Sequence, residues 1–128
     1  MRSSKKAVFV AGMAALLVAA MSGSAGAGEA SVVGAVATAS GGGTYTFSAT
    51  ISHADTGWDH YANKFDILAP DGTLLGTRVL YHPHVGEQPF TRSHTIKIPA
   101  GIKSVIVRAG DKVHKDGKKT FTVKLPER

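Results

Sequence analysis

The stretch TYTFSATI, residues 44–51, alternates between small hydroxyl residues and apolar residues. Tyr45, Phe47, Ala49 and Ile51 occupy every second position, and Thr or Ser stands between them. Successive side chains of a β-strand point to opposite faces, so a period of two is typical of a strand with one buried face and one solvated face. We therefore expect a half-buried strand here, and an all-β domain around it.

Similar short runs, bounded by turns rich in glycine and proline, lie on both sides of this stretch. They predict further strands at 31–38, 61–68, 74–81, 91–98, 102–109 and 119–125. No window after residue 27 shows the 3.6-residue period of an amphipathic helix. About seven short strands in a chain of about 100 residues predict an immunoglobulin-like antiparallel β-sandwich.

The first 27 residues have the composition of an export signal rather than of a folded element. Arg2, Lys5 and Lys6 precede an apolar run over 7–20, and Ala25-Gly26-Ala27 supplies the small residues that a signal peptidase cleaves after. The run is short for a membrane span, which needs about 20 residues. We expect cleavage after residue 27, one domain over 28–128, a periplasmic or secreted location and no membrane attachment after cleavage.

Charge and cysteine content exclude several classes of protein. Three of the 15 Lys and Arg residues lie in the first 27, and all nine acidic residues follow them, so the domain carries a formal net charge of +3. This value is too small to indicate a nucleic-acid partner. The chain has no cysteine, so we expect neither disulfides nor a lipid anchor, and a metal site would need nitrogen and oxygen ligands.

Histidines gather where the predicted strands end. Five of the six stand at such positions, whereas His94 lies within a predicted strand and is expected to face solvent. Because loops cluster at the two ends of a sandwich, the connections 52–60, 82–90 and 110–118 can meet at one end. Neutral imidazole binds zinc, copper and iron. The candidate metal ligands are His53, His60, His82, His84, His114 and Asp111.

Other polar and aromatic residues are candidates for the rim of the same site. A carboxylate of Asp55, Asp59 or Asp111 could bind the ion or orient an imidazole. Trp58 and Glu87 could contact a ligand or simply form a solvated rim. Arg92 could do the same, or pair with Glu87 or Asp59 in a structural ion pair.

Two segments of the chain resemble the iron-binding domain of superoxide reductase and desulfoferrodoxin. His53 is followed by Asp59-His60-Tyr61, which leads into KFDILAPDG, and the segment SVIVRAGDKVH ends at His114. That family has an immunoglobulin-like sandwich whose iron is held by four histidines and one cysteine, within a His-Pro-Met…Glu-His-Tyr pattern and a later Cys-x-x-His pattern. The resemblance implies that His53, His60 and His114 are ligands and that Asp111 takes the place of the cysteine.

The departures from that family limit what the resemblance implies. An aspartate is a harder ligand than a thiolate, so it alters both the preferred metal and the redox potential. His53-Ala54-Asp55 replaces the His-Pro-Met tripeptide, and HPHVGEQPF has no counterpart in the family pattern. The resemblance therefore implies the sandwich and a histidine-rich site at one end of it, but not superoxide reduction.

Two functions follow as hypotheses. The first is an exported sandwich that binds one copper, zinc or iron ion through the histidine cluster, for storage, delivery or a metal-dependent redox step. The second is a non-catalytic accessory module that binds a small ligand or another periplasmic protein without metal. A hydrolase is disfavoured, since the sequence has no nucleophile motif and no phosphate-binding loop followed by a helix. Enzymatic activity is otherwise left open, with a non-catalytic protein favoured.

Overall fold

A computed structural model describes residues 28–128, and the predicted export signal lies outside this range. The described chain contains eight strands and no helix, and hence no helix that could cross a membrane. The strands are β1 Ser31–Gly41, β2 Thr44–Ser52, β3 Ala62–Leu68, β4 Leu74–Val79, β5 Phe90–Lys97, β6 Ser104–Asp111, β7 Lys115–Asp116 and β8 Phe121–Lys124. Seven of them match the predicted strands within a few residues, and the two-residue β7 lies in a predicted loop.

The strands form two antiparallel sheets that face each other. One sheet has the order β1-β2-β5, and the other has the order β4-β3-β6-β7, with β8 paired to β6. β1, β2 and β5 thus oppose β3, β4, β6 and β8, with the short β7 at the edge of the larger sheet, which is an immunoglobulin-like arrangement. The predicted all-β sandwich is confirmed.

The alternating stretch of β2 supplies much of the core, as its pattern predicts. Tyr45, Phe47, Ala49 and Ile51 are at most 2% exposed. They pack against the inner face of the second sheet, in one cluster with Phe65, Ile67, Val105, Val107 and Ala109. Burial of these side chains is the main source of stability, because each large apolar side chain contributes roughly 1.5–3 kcal/mol.

The outer face of the larger sheet carries a buried carboxylate. Asp66 in β3 is 1% exposed and accepts hydrogen bonds from Lys64, Thr77 and Arg108, at 2.9, 2.7 and 2.8 Å. Burial by itself would raise the pKa of Asp66, but these hydrogen bonds outweigh it and hold the pKa below its usual value. The carboxylate is therefore charged in the folded protein.

This network predicts a specific loss of stability in acid. Because the pKa of Asp66 is lower in the folded state, its contribution is present above the unfolded pKa of about 4 and disappears as the pH falls through the folded value. We expect Asp66→Asn to lower the free energy of unfolding by about 1–3 kcal/mol at pH 7, and by progressively less in acid. Denaturant unfolding between pH 2 and 7 measures both effects.

The matched control is Asp116→Asn. Its carboxylate touches the same two cations, Lys64 and Arg108, but is 46% exposed. Exposed ion pairs contribute less than about 1 kcal/mol, so a small effect is expected. Equal losses for the two variants would contradict the role given to Asp66.

Candidate metal centre

Three connections and the beginning of the described chain meet at one end of the sandwich. They are the β2–β3, β4–β5 and β6–β7 connections, together with the segment 28–30. Hydrogen bonds link them directly, since the backbone N–H of His84 donates to Asp55 and His60 contacts Asp111. The predicted meeting of these three connections is confirmed. Side chains that are far apart in sequence thereby come into contact.

His53 follows the last residue of β2, and its side chain is fully buried. Its Nδ1 lies 2.5 Å from Oδ1 of Asp55. Asp55 is held in turn by backbone N–H donors, from Ala62 at 3.0 Å to Oδ1 and from His84 at 2.7 Å to Oδ2. The carboxylate contact assigns the proton of a neutral His53 to Nδ1, which leaves the Nε2 lone pair free as a ligand.

Asp55 orients His53 in the way that carboxylates orient metal-binding histidines, which is one of the two roles that the sequence had suggested for it. The pattern His-x-Asp at 53–55 was visible in the sequence, but only the structure shows that the carboxylate turns back onto the imidazole. Gln88 was missed altogether. Its Oε1 accepts the backbone N–H of His53 at 2.9 Å, and its Nε2 donates to the carbonyl of His84 at 3.1 Å.

His60 is placed by a tight turn between β2 and β3. The N–H of His60 donates to the carbonyl of Gly57, and the N–H of Thr56 donates to the carbonyl of His60. Gly57 adopts a φ of 147°, which favours glycine. The turn directs Nε2 of His60 toward the buried site, 3.2 Å from Nε2 of His53, while its side chain stays 22% exposed. The second imidazole thus lies between the site and solvent.

Asp111 is the last residue of β6, where the sequence had predicted a loop. Its Oδ1 accepts the backbone N–H groups of Val113 and His114, at 2.8 and 2.6 Å. Burial by itself would raise the pKa of Asp111, but these bonds and the nearby His53 lower it below the usual value. Oδ2 is buried and has no hydrogen-bond partner among the described residues. A charged, buried oxygen without a partner is costly unless a cation binds it.

The donor atoms of His53, His60 and Asp111 are spaced like the ligands of a metal ion. They lie within 4.8 Å of one another. Nε2 of His60 is 3.2 Å from Oδ1 of Asp111, and Nε2 of His53 is 3.9 Å from Oδ2. Ligands at 2.0–2.1 Å around a tetrahedral zinc ion are separated by about 3.3 Å. A divalent ion therefore fits this group with small adjustments.

Acceptor atoms outnumber donors in this group, because only Nε2 of His60 can carry a proton when His53 is protonated at Nδ1. Nε2 of a neutral His53 is an acceptor, yet it faces the carbonyl oxygen of Gly28 at 3.1 Å and the carboxylate of Asp111. Acceptors repel one another unless a proton or a metal cation lies between them. A metal cation among these acceptors would remove that repulsion.

His114 lies beside this group and outside the three-residue cluster. Its Nδ1 is 3.3 Å from Oδ1 of Asp111, and its ring centre is 5.0 Å from that of His60. The side chain is 39% exposed. The Asp-x-x-His spacing therefore brings His114 to the rim of the site. The role of His114 as a metal ligand stays a prediction.

The structure does not bring His82 and His84 into the cluster. His84 is 4% exposed and stacks on Phe90, with 3.9 Å between ring centres. Its Nε2 lies 2.9 Å from the guanidinium of Arg92. Burial lowers the pKa of His84, and the nearby Arg92 and His82 lower it further. His82 is exposed. His84 contributes to the site instead through its backbone N–H, which donates to Asp55.

The residues predicted for the rim have different environments. Trp58 is 62% exposed and packs edge-on against Tyr61, with 5.7 Å between ring centres. Asp59 is exposed. Arg92 lies 3.8 Å from Glu87, over the ring of Phe90, in the structural pairing that the sequence analysis had weighed. Glu87 and Arg92 therefore belong to the surroundings of His84 rather than to the cluster.

The prediction that His94 faces solvent is wrong. His94 lies on the inner face of β5 and packs edge-on against Phe65, with 6.4 Å between ring centres. Burial lowers its pKa, and Arg78 adds to this effect. β5 is an edge strand, so its inner face is only partly covered and accepts a half-buried polar ring.

Comparison with known proteins finds a relative that matches most of this chain. A protein of Halomicrobium mukohataei, provisionally described as a lipoprotein, is 40% identical to the chain over 95 residues. The alignment covers 74% of this chain and 47% of that protein, so the chain spans about half the length of the relative it matches. No family model matches the chain, and no solved structure shows significant similarity to it. The chain is thus similar to part of a longer protein.

Proposed function

We propose that this protein binds one divalent transition-metal ion through His53, His60 and Asp111, with His114 at the rim. The observation that carries the proposal is the buried Oδ2 of Asp111, which has no hydrogen-bond partner within residues 28–128 and lies 3.9 Å from Nε2 of His53. Stability alone gives no reason to bury acceptors against one another. A metal ion neutralises all of them at once.

The ligand atoms of the site limit which metal ions it can bind. Two imidazoles and one carboxylate suit zinc, copper(II) and iron(II), and two histidines with one carboxylate form a common triad in iron(II) and zinc sites. Copper(I) prefers sulfur ligands, and the domain has neither cysteine nor, after residue 27, methionine. Iron would also accord with the resemblance to superoxide reductase. In this chain Asp111 stands where that family has its cysteine thiolate.

The proposed setting is the cell envelope or the exterior, as a periplasmic or secreted protein. The composition of residues 1–27 supports this, and so does the provisional lipoprotein description of the relative. A protein there could store the ion, deliver it to another exported protein, or use it in a redox step.

Titration of the purified domain tests the proposal. Trp58 is the only tryptophan and lies two residues before His60, so its fluorescence reports on the site, and copper(II) is expected to quench it. We expect one ion per chain and a Kd below micromolar for zinc or copper(II), confirmed by elemental analysis after dialysis. Sub-stoichiometric metal at micromolar free ion would contradict the proposal.

The second candidate is a docking module that binds a protein or small ligand without metal. The exposure of Trp58 at 62%, beside the site, favours it, because large exposed aromatic residues are enriched at binding surfaces. This alternative predicts that wild type and His60→Ala bind copper(II) equally weakly, so the same titration separates the two functions.

A further inference from the structure

Gly28, the first described residue, lies inside the candidate metal centre. Its carbonyl oxygen is 3.1 Å from Nε2 of His53. A Cβ atom added to it would lie 2.8 Å from both Nε2 and Cε1 of His114, which is too close for any other residue without displacing the imidazole. Glycine at this position therefore allows the backbone to sit between two histidines.

The neighbouring residues hold Gly28 in place. Ala30 is fully buried, and its carbonyl lies so close to Gly117 that a Cβ there would come within 2.1 Å of the oxygen. Glu29 accepts the backbone N–H of Lys118 at 3.0 Å through its carboxylate. These contacts tie the segment 28–30 to the loop that follows β7, so the position of Gly28 is determined by packing.

The sequence predicts that export changes the chemistry of this residue. Cleavage after Ala27 would convert the backbone nitrogen of Gly28 from an amide into an α-amine. The amide nitrogen keeps its proton and shares its lone pair with the carbonyl, so it is a much poorer ligand than an amine. A free amine offers its lone pair, and an amine and the carbonyl oxygen of the same residue can close a five-membered ring around a metal ion.

We infer that cleavage before Gly28 completes the metal site, with the new α-amine and the carbonyl oxygen of Gly28 joining His53, His60 and Asp111 as ligands. The inference rests on the proposed metal binding. It adds that removal of the signal peptide controls the affinity of the site for the metal ion. The precursor then binds metal weakly, and the exported protein binds it tightly. Loading is thereby confined to the compartment where the protein acts.

Three forms of the domain test this inference. The first begins at Gly28, the second carries Ala27 as one additional residue, and the third begins at Gly28 with an enzymatically acetylated α-amine. Copper(II) affinity is measured by competition titration with Trp58 fluorescence. The N-terminus of the protein purified after export is determined by intact mass. Thermal unfolding without metal checks that all three forms fold alike.

We expect the exported protein to begin at Gly28. The form that begins at Gly28 with an unmodified α-amine should bind copper(II) at least about tenfold more tightly than the form with Ala27 and the acetylated form. The copper electron paramagnetic resonance spectrum should also differ, because one nitrogen ligand is lost on blocking. Equal, tight binding by all three forms would overturn the inference and leave the proposed function standing. Weak binding by all three would overturn both, and a mature N-terminus at another residue would overturn the inference alone.

Discussion

Replacing His60 by alanine is expected to weaken zinc or copper(II) binding by at least about 100-fold, while His82→Ala changes it by no more than about twofold. Loss of residues that only orient ligands costs about 10–100-fold in affinity, so loss of a ligand itself should cost more. His82 was an equally good candidate in the sequence, but it is exposed and lies outside the cluster. Substitutions at such surface positions are usually worth less than about 0.5 kcal/mol.

The comparison isolates metal binding from folding. Nε2 of His60 faces the cluster from a side chain that is 22% exposed, so its removal should leave a folded domain. Far-UV circular dichroism and the Tm without metal check this directly. Equal losses of metal affinity in the two variants would mean that the metal binds non-specifically to several surface histidines. Unchanged affinity in His60→Ala would remove His60 from the site.

Asp111→Asn is expected to abolish stabilisation by metal while destabilising the metal-free protein only modestly. Oδ1 accepts two backbone N–H groups and would remain the amide oxygen. The amide nitrogen would then take the position of Oδ2, which lies 3.9 Å from Nε2 of His53. Because the pKa of Asp111 is lowered in the folded protein, its charge contributes some stability that the amide loses, while the two backbone hydrogen bonds to Oδ1 limit that loss.

Thermal unfolding measures both parts of this expectation. An ion at 100 times its Kd stabilises the folded state by about 2.7 kcal/mol. For a domain of about 100 residues this raises the Tm by roughly 10 °C or more. We expect this shift in the wild type and none in Asp111→Asn, whose metal-free Tm should fall by only a few degrees. A large fall in the metal-free Tm of the variant would show that Asp111 serves stability.

Most of the fold could be predicted, because its strongest pattern is local. The alternation in residues 44–51 depends only on the geometry of an extended backbone, and the structure buries the four apolar residues as expected. Strand ends were less predictable. The loop predicted after residue 109 is instead the end of β6 and a short hairpin with β7, because pairing with neighbouring strands extends the ladder to Asp111.

The candidate site could be predicted only in part. The placement of His53, His60 and Asp111 at strand ends pointed to a shared end, and they do meet there. Nothing in the sequence separated them from His84, which turns away because its ring stacks on Phe90 and contacts Arg92. The reversed orientation of His94 has a similar cause, since an edge strand with polar residues on both faces shows no clear inward side.

The sequence by itself determined that this protein is built of strands, where they lie and which face of β2 is buried, since these depend on backbone periodicity within a few residues. Only the tertiary structure decided which histidines meet, that Asp55 orients one of them, and that Gly28 lies among them. The contacts among His53, His60 and Asp111 join residues 7 to 58 positions apart. They depend on how the two sheets cross and on which loops share an end, and no local pattern encodes that arrangement.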